Sequence, residues 1–265
     1  MKAGITTYDL GDRYFLVQLA ALLRAGVTPD VVIHHGGGPW FGTWKRLRGL
    51  WRTLDTHRSG ALRQLLSKAS GAERRADALA SIDREVADAK RFLGAARIVT
   101  TGDITSRSCL NALRGAGPLA LVCNSGLVRG PVLGMREVVL LNVHVSKLPR
   151  FRGMNNVEWA LFHGEPLWAT VHRIDRGIDT GDILLQRPID PPTGITTIAA
   201  ARDHAFLQGH RLVGEAVVAL LRGDASWRPQ PGPVSPLDQY YVMHPLLRAV
   251  VEQRLLEGSL PPRDA

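Results

Sequence analysis

Cysteine is scarce in this 265-residue chain, and long apolar runs are missing. Two cysteines, Cys109 and Cys123, cannot form a disulfide framework, and so few are typical of a reduced cytoplasmic protein. No apolar run approaches the roughly 20 residues that a membrane-spanning helix needs. The first residues, MKAGITTYDL, lack an apolar core followed by a cleavage site, so we expect no secretion signal. These absences predict a soluble, cytoplasmic protein with no membrane partner.

Motifs of several other protein classes are also missing. The sequence contains no G-x-S-x-G, which argues against a serine hydrolase, and its first βα turn lacks the G-x-G-x-x-G of dinucleotide enzymes. No Cys or His residues have zinc spacing, so we expect no metal. The formal charge is +9, but the basic residues form neither a tail nor an aromatic-interleaved stripe, and we expect no nucleic-acid partner. Few of them are lysine; the arginine excess suits anion recognition, although genomic base composition explains it more readily.

Strand-like and helix-like patterns alternate along most of the chain. A strand at 2–7, an amphipathic helix at 12–25 and a strand at 30–35 form a β-α-β unit, which implies parallel strands. The other expected elements are a charged helical excursion (44–93), strands (96–102, 119–126, 137–145, 168–175, 182–189) and helices (105–114, 156–164, and one long helix within 195–223). The pattern predicts an α/β, Rossmann-like doubly wound fold with a mostly parallel sheet.

The composition changes after Gly223. The stretch WRPQPGPVSPLDQYYVMHP is rich in proline, and LLRAVVEQRLLEG follows it with the pattern of a short helix. We therefore expect one domain over 1–223 and an irregular extension over 224–265 that packs on it. The excursion at 44–93 and the extension are both candidate surfaces for a homodimer, and nothing in the sequence ranks them.

Asn142 and His144 interrupt the apolar run VVLLNVHV, and burying unpaired polar groups costs free energy. Residues i and i+2 of a strand share a face, so these two and Ser146 are expected near the carboxyl end of the strand, where open α/β sheets bind ligands. An amide and an imidazole there can stabilise an oxyanion, and the imidazole can move a proton. Asp179, in the turn RIDRGIDTGD, is the candidate carboxylate partner. His172 is either a supporting residue or a core histidine, and a hydrogen-bonded strand end is the alternative for the whole group.

The stretches NVHVSKLPRFRGMNNVEWALFHG and WATVHRIDRGIDTGDILLQRPI resemble the 10-formyltetrahydrofolate-dependent formyltransferases. The family pattern is Asn-x-His-x-Ser-x-Leu-Pro, then a basic or aromatic pair and Gly, a helix, Thr-Val-His, and Asp-x-Gly-x-Asp-x-Gly. The resemblance is specific over 119–190 and absent from the extension. It implies that a primary amine attacks the formyl carbon of 10-formyltetrahydrofolate. Asn142 and protonated His144 would stabilise the oxyanion, and Asp179 would assist proton movement.

The resemblance also implies where the two ligands bind. The pterin of the folate is expected between the loops 123–128 and 174–179, held largely by backbone groups that glycine allows to approach closely. The residues assigned to the folate are Asn124, Ser125, Gly126, Leu127, Ile174, Arg176, Gly177 and Ile178. The residues assigned to the acceptor are Lys147, Arg152, Gly153, Met154, Asn155 and Glu158, with Lys147 and Arg152 meeting its phosphates. A cis peptide bond is expected at Leu148-Pro149.

Three differences between this sequence and known classes of the family reduce the range of acceptors that we expect. The first βα turn lacks the Gly-x-Gly-Ser-Asn type of loop found in glycinamide ribonucleotide formyltransferases. The 42 residues after Gly223 are too few for the β-barrel of methionyl-tRNA formyltransferases, and no regulatory domain like that of formyltetrahydrofolate hydrolases precedes the domain. We therefore expect the acceptor to be an amino sugar on a nucleotide or another small anionic amine. A hydrolase that releases formate and a catalytically silent folate-binding module remain alternatives.

Overall fold

The computed structural model describes residues 3–35, 81–123, 126–191, 194–231 and 239–258. Within them a central sheet has seven strands: β1 (Ala3–Thr7), β2 (Val31–His35), β3 (Ile98–Thr101), β4 (Leu119–Val122), β5 (Val139–His144), β7 (Trp168–Arg173) and β8 (Ile183–Pro188). Their order is β3-β2-β1-β4-β5-β7-β8. The first five run parallel, whereas β7 is antiparallel to both β5 and β8. The predicted α/β, Rossmann-like fold with a mostly parallel sheet is confirmed.

The helices within the described ranges are α1 (Arg13–Arg24), α2 (Ala87–Ala95), α3 (Arg107–Gly115), α4 (Asn156–His163), α5 (Ile198–Arg211), α6 (Val213–Arg222) and α7 (Pro245–Glu257). Residues of the types that favour an N-cap begin three of them: the Asp12 side chain accepts the backbone N–H of Phe15, and Ser106 and Thr197 cap α3 and α5 in the same way. Each such cap is worth about 1 kcal/mol. Local sequence therefore determines where these helices begin.

The prediction of one long helix within 195–223 is wrong. The chain forms α5 and α6 instead, with Leu212 ending one and preceding the other. The backbone N–H of Leu212 donates to Gly209 O at 3.1 Å, a tight i→i+3 turn that interrupts the regular ladder. Shortly after it, a Cβ on Gly214 would lie 2.5 Å from Ala21 O of α1. The two helices thus pack closely against α1.

Alternate residues of the strands pack into different apolar clusters. Leu119 and Leu121 of β4 belong to a cluster with α1 and α6, whereas Ala120 and Val122 belong to one with α3. This alternation places apolar packing on both faces of the sheet, as a doubly wound fold requires. A third cluster joins α4 and α5 to Met243, Val251 and Leu255 of the C-terminal extension.

The extension also pairs with the loop that follows β5. A short strand β6 (Arg152–Gly153) lies parallel to β9 (Gln239–Tyr240), forming a second, two-stranded sheet. The division of the chain at Gly223 stays a prediction. Most of the charged excursion predicted over 44–93 lies outside the described residues, because the structure resumes at residue 81. None of the helices in the described ranges is long and apolar enough to cross a membrane.

Candidate functional site

Asn142, His144 and Asp179 meet at the carboxyl end of β5. Antiparallel pairing sets Asn142 opposite His172 and His144 opposite Thr170 of β7. His144 Nδ1 lies 3.4 Å from Asp179 Oδ2, and His172 Nε2 lies 3.6 Å from Asp179 Oδ1. Both histidines are buried. The three residues selected from the sequence therefore form one cluster, and His172 is a fourth member of it.

The backbone determines which nitrogen of His172 carries the proton. His172 Nδ1 lies 2.8 Å from Arg173 O, an oxygen that only accepts hydrogen bonds, so Nδ1 is the donor. In the neutral ring Nε2 then accepts, and Asn142 Nδ2 donates to it at 3.3 Å. Burial, and secondly the charge of His144, lower the pKa of His172 to about 4. The second N–H of the Asn142 amide remains for a ligand.

Both ring nitrogens of His144 face hydrogen-bond acceptors. Nε2 donates to Phe151 O at 2.7 Å, and Nδ1 faces the carboxylate of Asp179. Ser146 Oγ donates to the same Phe151 oxygen at 2.6 Å, so that carbonyl keeps a partner if Nε2 turns to a ligand. The contact of His144 with an oxyanion stays a prediction.

Asp179 is held by its backbone as well as by its carboxylate. Its φ of 54° is in the left-handed region, which is uncommon for residues other than glycine. The Gly153 N–H donates to Oδ2 at 2.9 Å. Arg152 Nε and Gln230 Nε2 donate to the Asp179 carbonyl oxygen at 3.2 and 3.0 Å. Two separate parts of the chain, residues 152–153 and Gln230, therefore hold Asp179 at its carboxylate and at its carbonyl oxygen.

The two loops assigned to the folate lie beside this cluster. Ile174, after β7, and Val128, after β4, pack into the same apolar cluster. Gly126 has a φ of 67°, and the neighbouring Leu127 side chain is half exposed. The cis peptide bond expected at Leu148-Pro149 is confirmed. Asn124 and Ser125 lie outside the described residues.

The turn that leads to Asp179 is closed by Asp175. Its Oδ1 accepts the Gly177 N–H at 3.1 Å and the Thr180 hydroxyl at 2.6 Å. A Cβ on Gly177 would lie 2.0 Å from Thr180 Oγ1, so the turn requires glycine there. Arg176 and Ile178 belong to the same turn, and their contact with folate stays a prediction.

Two of the residues assigned to the acceptor are engaged within the protein instead. Arg152 is buried, and its guanidinium donates to Gln230 Oε1 at 2.6 and 3.1 Å. Glu158 is fully buried and accepts a hydrogen bond from Asn155 Nδ2 at 2.9 Å. These side chains are engaged within the fold, and their contact with an acceptor stays a prediction. The Arg152 guanidinium has polar partners that offset the cost of its burial, whereas Glu158 Oε2 is buried with no hydrogen-bond partner among the described residues.

The other acceptor residues differ in exposure. Met154 is among the exposed large apolar side chains, whereas Gly153 is bound to Asp179 and to the extension. Lys147 Nζ lies 4.6 Å from the centre of the Trp168 ring, a cation–π contact. Contacts of Lys147, Gly153, Met154 and Asn155 with an acceptor stay predictions.

Sequence reasoning missed Gln230 and Tyr240, both in the proline-rich extension. Tyr240 O accepts the Met154 N–H at 2.9 Å, beside Gly153. The nearby prolines predict irregular structure, but no local pattern connects either residue to a loop tens of positions earlier. Among the described residues, no three His, Cys, Asp or Glu side chains form a group suited to a metal ion. The expectation of a metal-free site stays a prediction.

An α/β sheet with an amide, two imidazoles and a carboxylate at a strand end is the architecture of an α/β enzyme with its site at the carboxyl edge. The sequence profile described as formyl transferase matches residues 53–205, more than half of the chain, and the chain belongs to this family.

Curated relatives share part of their length with this chain. It is 38% identical over 120 residues to the methionyl-tRNA formyltransferase of Clavibacter michiganensis subsp. michiganensis (strain NCPPB 382), covering 44% of this chain and 39% of that protein. It is 35% identical over 127 residues to the methionyl-tRNA formyltransferase of Anaeromyxobacter sp. (strain K), covering 43% and 40%. The chain thus matches about two fifths of the length of these relatives.

Solved structures of formyltransferases have the same fold. A sugar N-formyltransferase from Shewanella sp FDAARGOS_354 matches with a TM-score of 0.53 at 13% identity, covering 96% of this chain and 87% of that one. Glycinamide ribonucleotide transformylase 1 from Symbiobacterium toebii matches with a TM-score of 0.51 at 22% identity, covering 86% and 93%. At these identities the likeness concerns the fold alone.

The buried His172 predicts a loss of stability in mild acid. Its pKa in the folded chain is about 4, whereas an unfolded histidine titrates near 6.5, so only the unfolded chain binds this proton between those values. Stability is therefore lost as the pH falls from about 6.5 towards 4. Between pH 7 and pH 5, His172 is expected to account for a loss of about 2 kcal/mol in the free energy of unfolding.

Urea unfolding at pH 7 and pH 5 measures this effect. The variant His172→Gln is expected to lose about 2 kcal/mol less than the parent chain over this interval. The exposed His163 gives the control variant His163→Gln, which is expected to keep the pH dependence of the parent. If the free energy of unfolding fell equally for His172→Gln and the parent between pH 7 and pH 5, the buried ring would not be neutral in the folded chain.

Proposed function

We propose that the chain is an N-formyltransferase that moves the formyl group of 10-formyltetrahydrofolate to a primary amine. The observation that carries the proposal is the cluster of Asn142, His144 and Asp179 at the end of β5, in a chain of the formyl transferase family. The cluster combines hydrogen-bond donors with a carboxylate next to an imidazole. Such a set serves acyl transfer, in which an oxygen gains negative charge while a nitrogen loses a proton.

Each residue of the cluster has a distinct role in this proposal. The folate donor supplies a formyl carbonyl group that an amine can attack. The free N–H of Asn142 donates to the formyl oxygen as it gains charge, and His144 adds a second donor when Nε2 turns from Phe151. Asp179 faces the His144 ring and accepts the proton that the attacking amine releases. When the tetrahedral intermediate collapses, the bond from the formyl carbon to the folate nitrogen breaks, and tetrahydrofolate leaves with that proton on its nitrogen.

The two adjoining loops suit the flat pterin ring of the donor. The half-exposed side chain of Leu127 offers an apolar surface, and Gly126 before it has no side chain to keep a ring from the backbone. Ile174 and Val128, one from each loop, both pack into one apolar cluster, which ties the two loops to the same part of the core. Residues 126–127 and 174–178 would hold the ring, and backbone N–H and C=O groups would pair with its polar edge.

For the acceptor we propose an amino sugar on a nucleotide or another small anionic amine. The exposed Met154 lies two residues after Arg152, on the loop that reaches Asp179, and Lys147 is the nearest lysine in sequence to the cluster. Identity to methionyl-tRNA formyltransferases favours a second candidate, an aminoacyl-tRNA amine. Water in place of the amine would make the chain a hydrolase.

Product analysis separates these alternatives. The purified chain would be incubated with 10-formyltetrahydrofolate and, separately, amino-sugar nucleotides, small free amines and methionyl-tRNA. Mass spectrometry identifies formylated products, and a formate assay detects hydrolysis. We expect a formylated small amine and a rate at least about tenfold lower for Asp179→Asn. Asp182→Asn, a substitution of a partly exposed carboxylate near the same turn, is the control and is expected to keep the parent rate.

Three other outcomes would each overturn part of the proposal. Formate without any formylated amine would identify a hydrolase. Tight folate binding without turnover would identify a silent binding module. Formylated methionyl-tRNA, with the small amines unchanged, would replace the proposed acceptor and leave the formyltransferase activity in place.

A further inference from the structure

We propose that Gln230 and Arg152 are positioning residues that hold Asp179 in its reactive orientation, so that the C-terminal extension completes the active site. The inference rests on the proposed role of Asp179 in formyl transfer. It concerns two side chains that each donate a hydrogen bond to the backbone carbonyl oxygen of Asp179.

The amide of Gln230 uses all of its hydrogen-bonding capacity in this contact. Its Nε2 donates to two carbonyl oxygens, Asp179 O at 3.0 Å and Gly181 O at 2.7 Å. Its Oε1 accepts twice from the Arg152 guanidinium, at 2.6 and 3.1 Å. Two donors and two lone pairs are thus satisfied. The opposite orientation of the amide would set N–H groups against the guanidinium, so the network has one arrangement.

The backbone conformation of Asp179 explains why the hydrogen bonds from Arg152 and Gln230, here called the clamp, are needed. Its φ of 54° is disfavoured for a residue with a side chain, by roughly 1–2 kcal/mol relative to the ordinary helical region. Arg152 Nε and Gln230 Nε2 both donate to its carbonyl oxygen, which stabilises this backbone conformation. With the backbone fixed, the carboxylate points to His144 and receives the Gly153 N–H. Without the clamp the turn can relax and move the carboxylate away.

A backbone bridge brings Gln230 to this turn. Ile183, the first residue of β8, and Arg228 exchange two backbone hydrogen bonds of 2.9 Å each, an isolated antiparallel bridge. The bridge lies just after the turn that contains Asp179, so a residue two positions beyond Arg228 reaches the turn. Arg152 comes to the same place from β6, which pairs with β9 of the extension. The extension therefore supports the carboxylate from two directions.

The clamp predicts an effect on turnover rather than on binding. A misplacement of about 1 Å at a reacting group can cost roughly 10²-fold in rate. We expect Gln230→Ala to lower kcat by roughly 10- to 100-fold, with KM for the folate donor changed by less than about twofold. Gln230→Glu keeps the size of the side chain and an acceptor for Arg152, but it removes both donors to the carbonyl oxygens. We expect it to lose activity to a similar extent.

The experiment measures kcat and KM with the acceptor found by product analysis. The chains compared are the parent, both Gln230 variants, Asp179→Asn, and the double variant that combines Gln230→Ala with Asp179→Asn. The exposed Gln253 of α7 gives the matched control Gln253→Ala, expected to keep the parent kinetics. Because Gln230 acts through the Asp179 carboxylate, Gln230→Ala is expected to have little further effect on kcat in the Asp179→Asn background. Circular dichroism and thermal unfolding show which variants fold.

The outcomes are distinguishable from a failure of the proposed function. If Asp179→Asn lowers activity and both Gln230 variants keep the parent kcat, the positioning role is wrong and the proposed function stands. If Gln230→Ala lowers kcat equally in both backgrounds, its effect is structural and the inference is overturned. If Asp179→Asn keeps full activity, the role of Asp179 fails and the inference fails with it.

Discussion

His144→Ala is expected to lower kcat for formyl transfer by about 10²- to 10⁴-fold. The imidazole is the only group of the cluster that both pairs with Asp179 and can donate to the formyl oxygen, since its Nδ1 lies 3.4 Å from that carboxylate while Nε2 bonds to a backbone carbonyl. Its loss removes an oxyanion donor, worth roughly 10²–10³ by itself, and the partner of the carboxylate. KM for the folate donor is expected to change much less than kcat.

Steady-state kinetics of two further variants test the specificity of this effect. His144→Asn keeps one short donor on the same face of β5, so its loss of kcat is expected to be smaller than that of His144→Ala. His204→Ala removes a histidine of α5 whose ring contacts Asp190 O and Gln208, and it is expected to leave kcat unchanged. A His144→Ala rate within about threefold of the parent would show that the chemistry does not depend on this ring.

The sequence was sufficient to place Asn142 and His144 together because two polar residues on a buried apolar strand are unusual; their catalytic role stays a prediction. Asn142 and His144 lie two residues apart on a strand that is otherwise apolar, and such residues share a face. The pairing of β5 with β7 adds His172, whose role was undecided from the sequence alone. In the structure its neutral ring sets the direction of the Asn142 amide, which depends on a contact across 30 positions.

The contacts of Arg152 could not be predicted from local sequence. The family resemblance assigned this residue to the phosphates of an acceptor. Gln230 instead covers the guanidinium, and this contact spans 78 positions of the chain. No periodicity or turn signal encodes a contact of that separation. The same reason accounts for the break at Leu212, since the apolar pattern of 195–223 is continuous and the close approach to α1 is tertiary.

Gly153→Ala is expected to disturb both stability and activity. The glycine has a φ of 96°, and a Cβ on it would lie 2.2 Å from Tyr240 O of β9. A side chain there is strained by its backbone conformation and clashes with a backbone atom that cannot rotate away. Together these effects cost roughly 2–5 kcal/mol in the free energy of unfolding. Relief of the clash must separate β6 from β9 and shift the N–H that binds Asp179 Oδ2.

Gly164→Ala is the matched control for the cost of placing a side chain on a backbone with positive φ. Gly164 ends α4 with a φ of 69°, and no atom would lie within 4 Å of an added Cβ. Its substitution is expected to cost only the left-handed strain, about 1 kcal/mol, and to leave kcat unchanged. Urea unfolding compares the two variants, and kinetics below the unfolding transition compare their kcat values.

A Gly153→Ala chain that folds but has lost kcat would separate positioning from stability. In that case the N–H of residue 153 has moved from Asp179 while the core of the sheet, which lies elsewhere, is intact. A Gly153→Ala variant with the stability and kcat of Gly164→Ala would show that β9 does not restrain the loop. Because β9 belongs to the extension, the first result would also mean that residues beyond Gly223 act on the carboxylate through two independent contacts, at Gly153 and at Gln230.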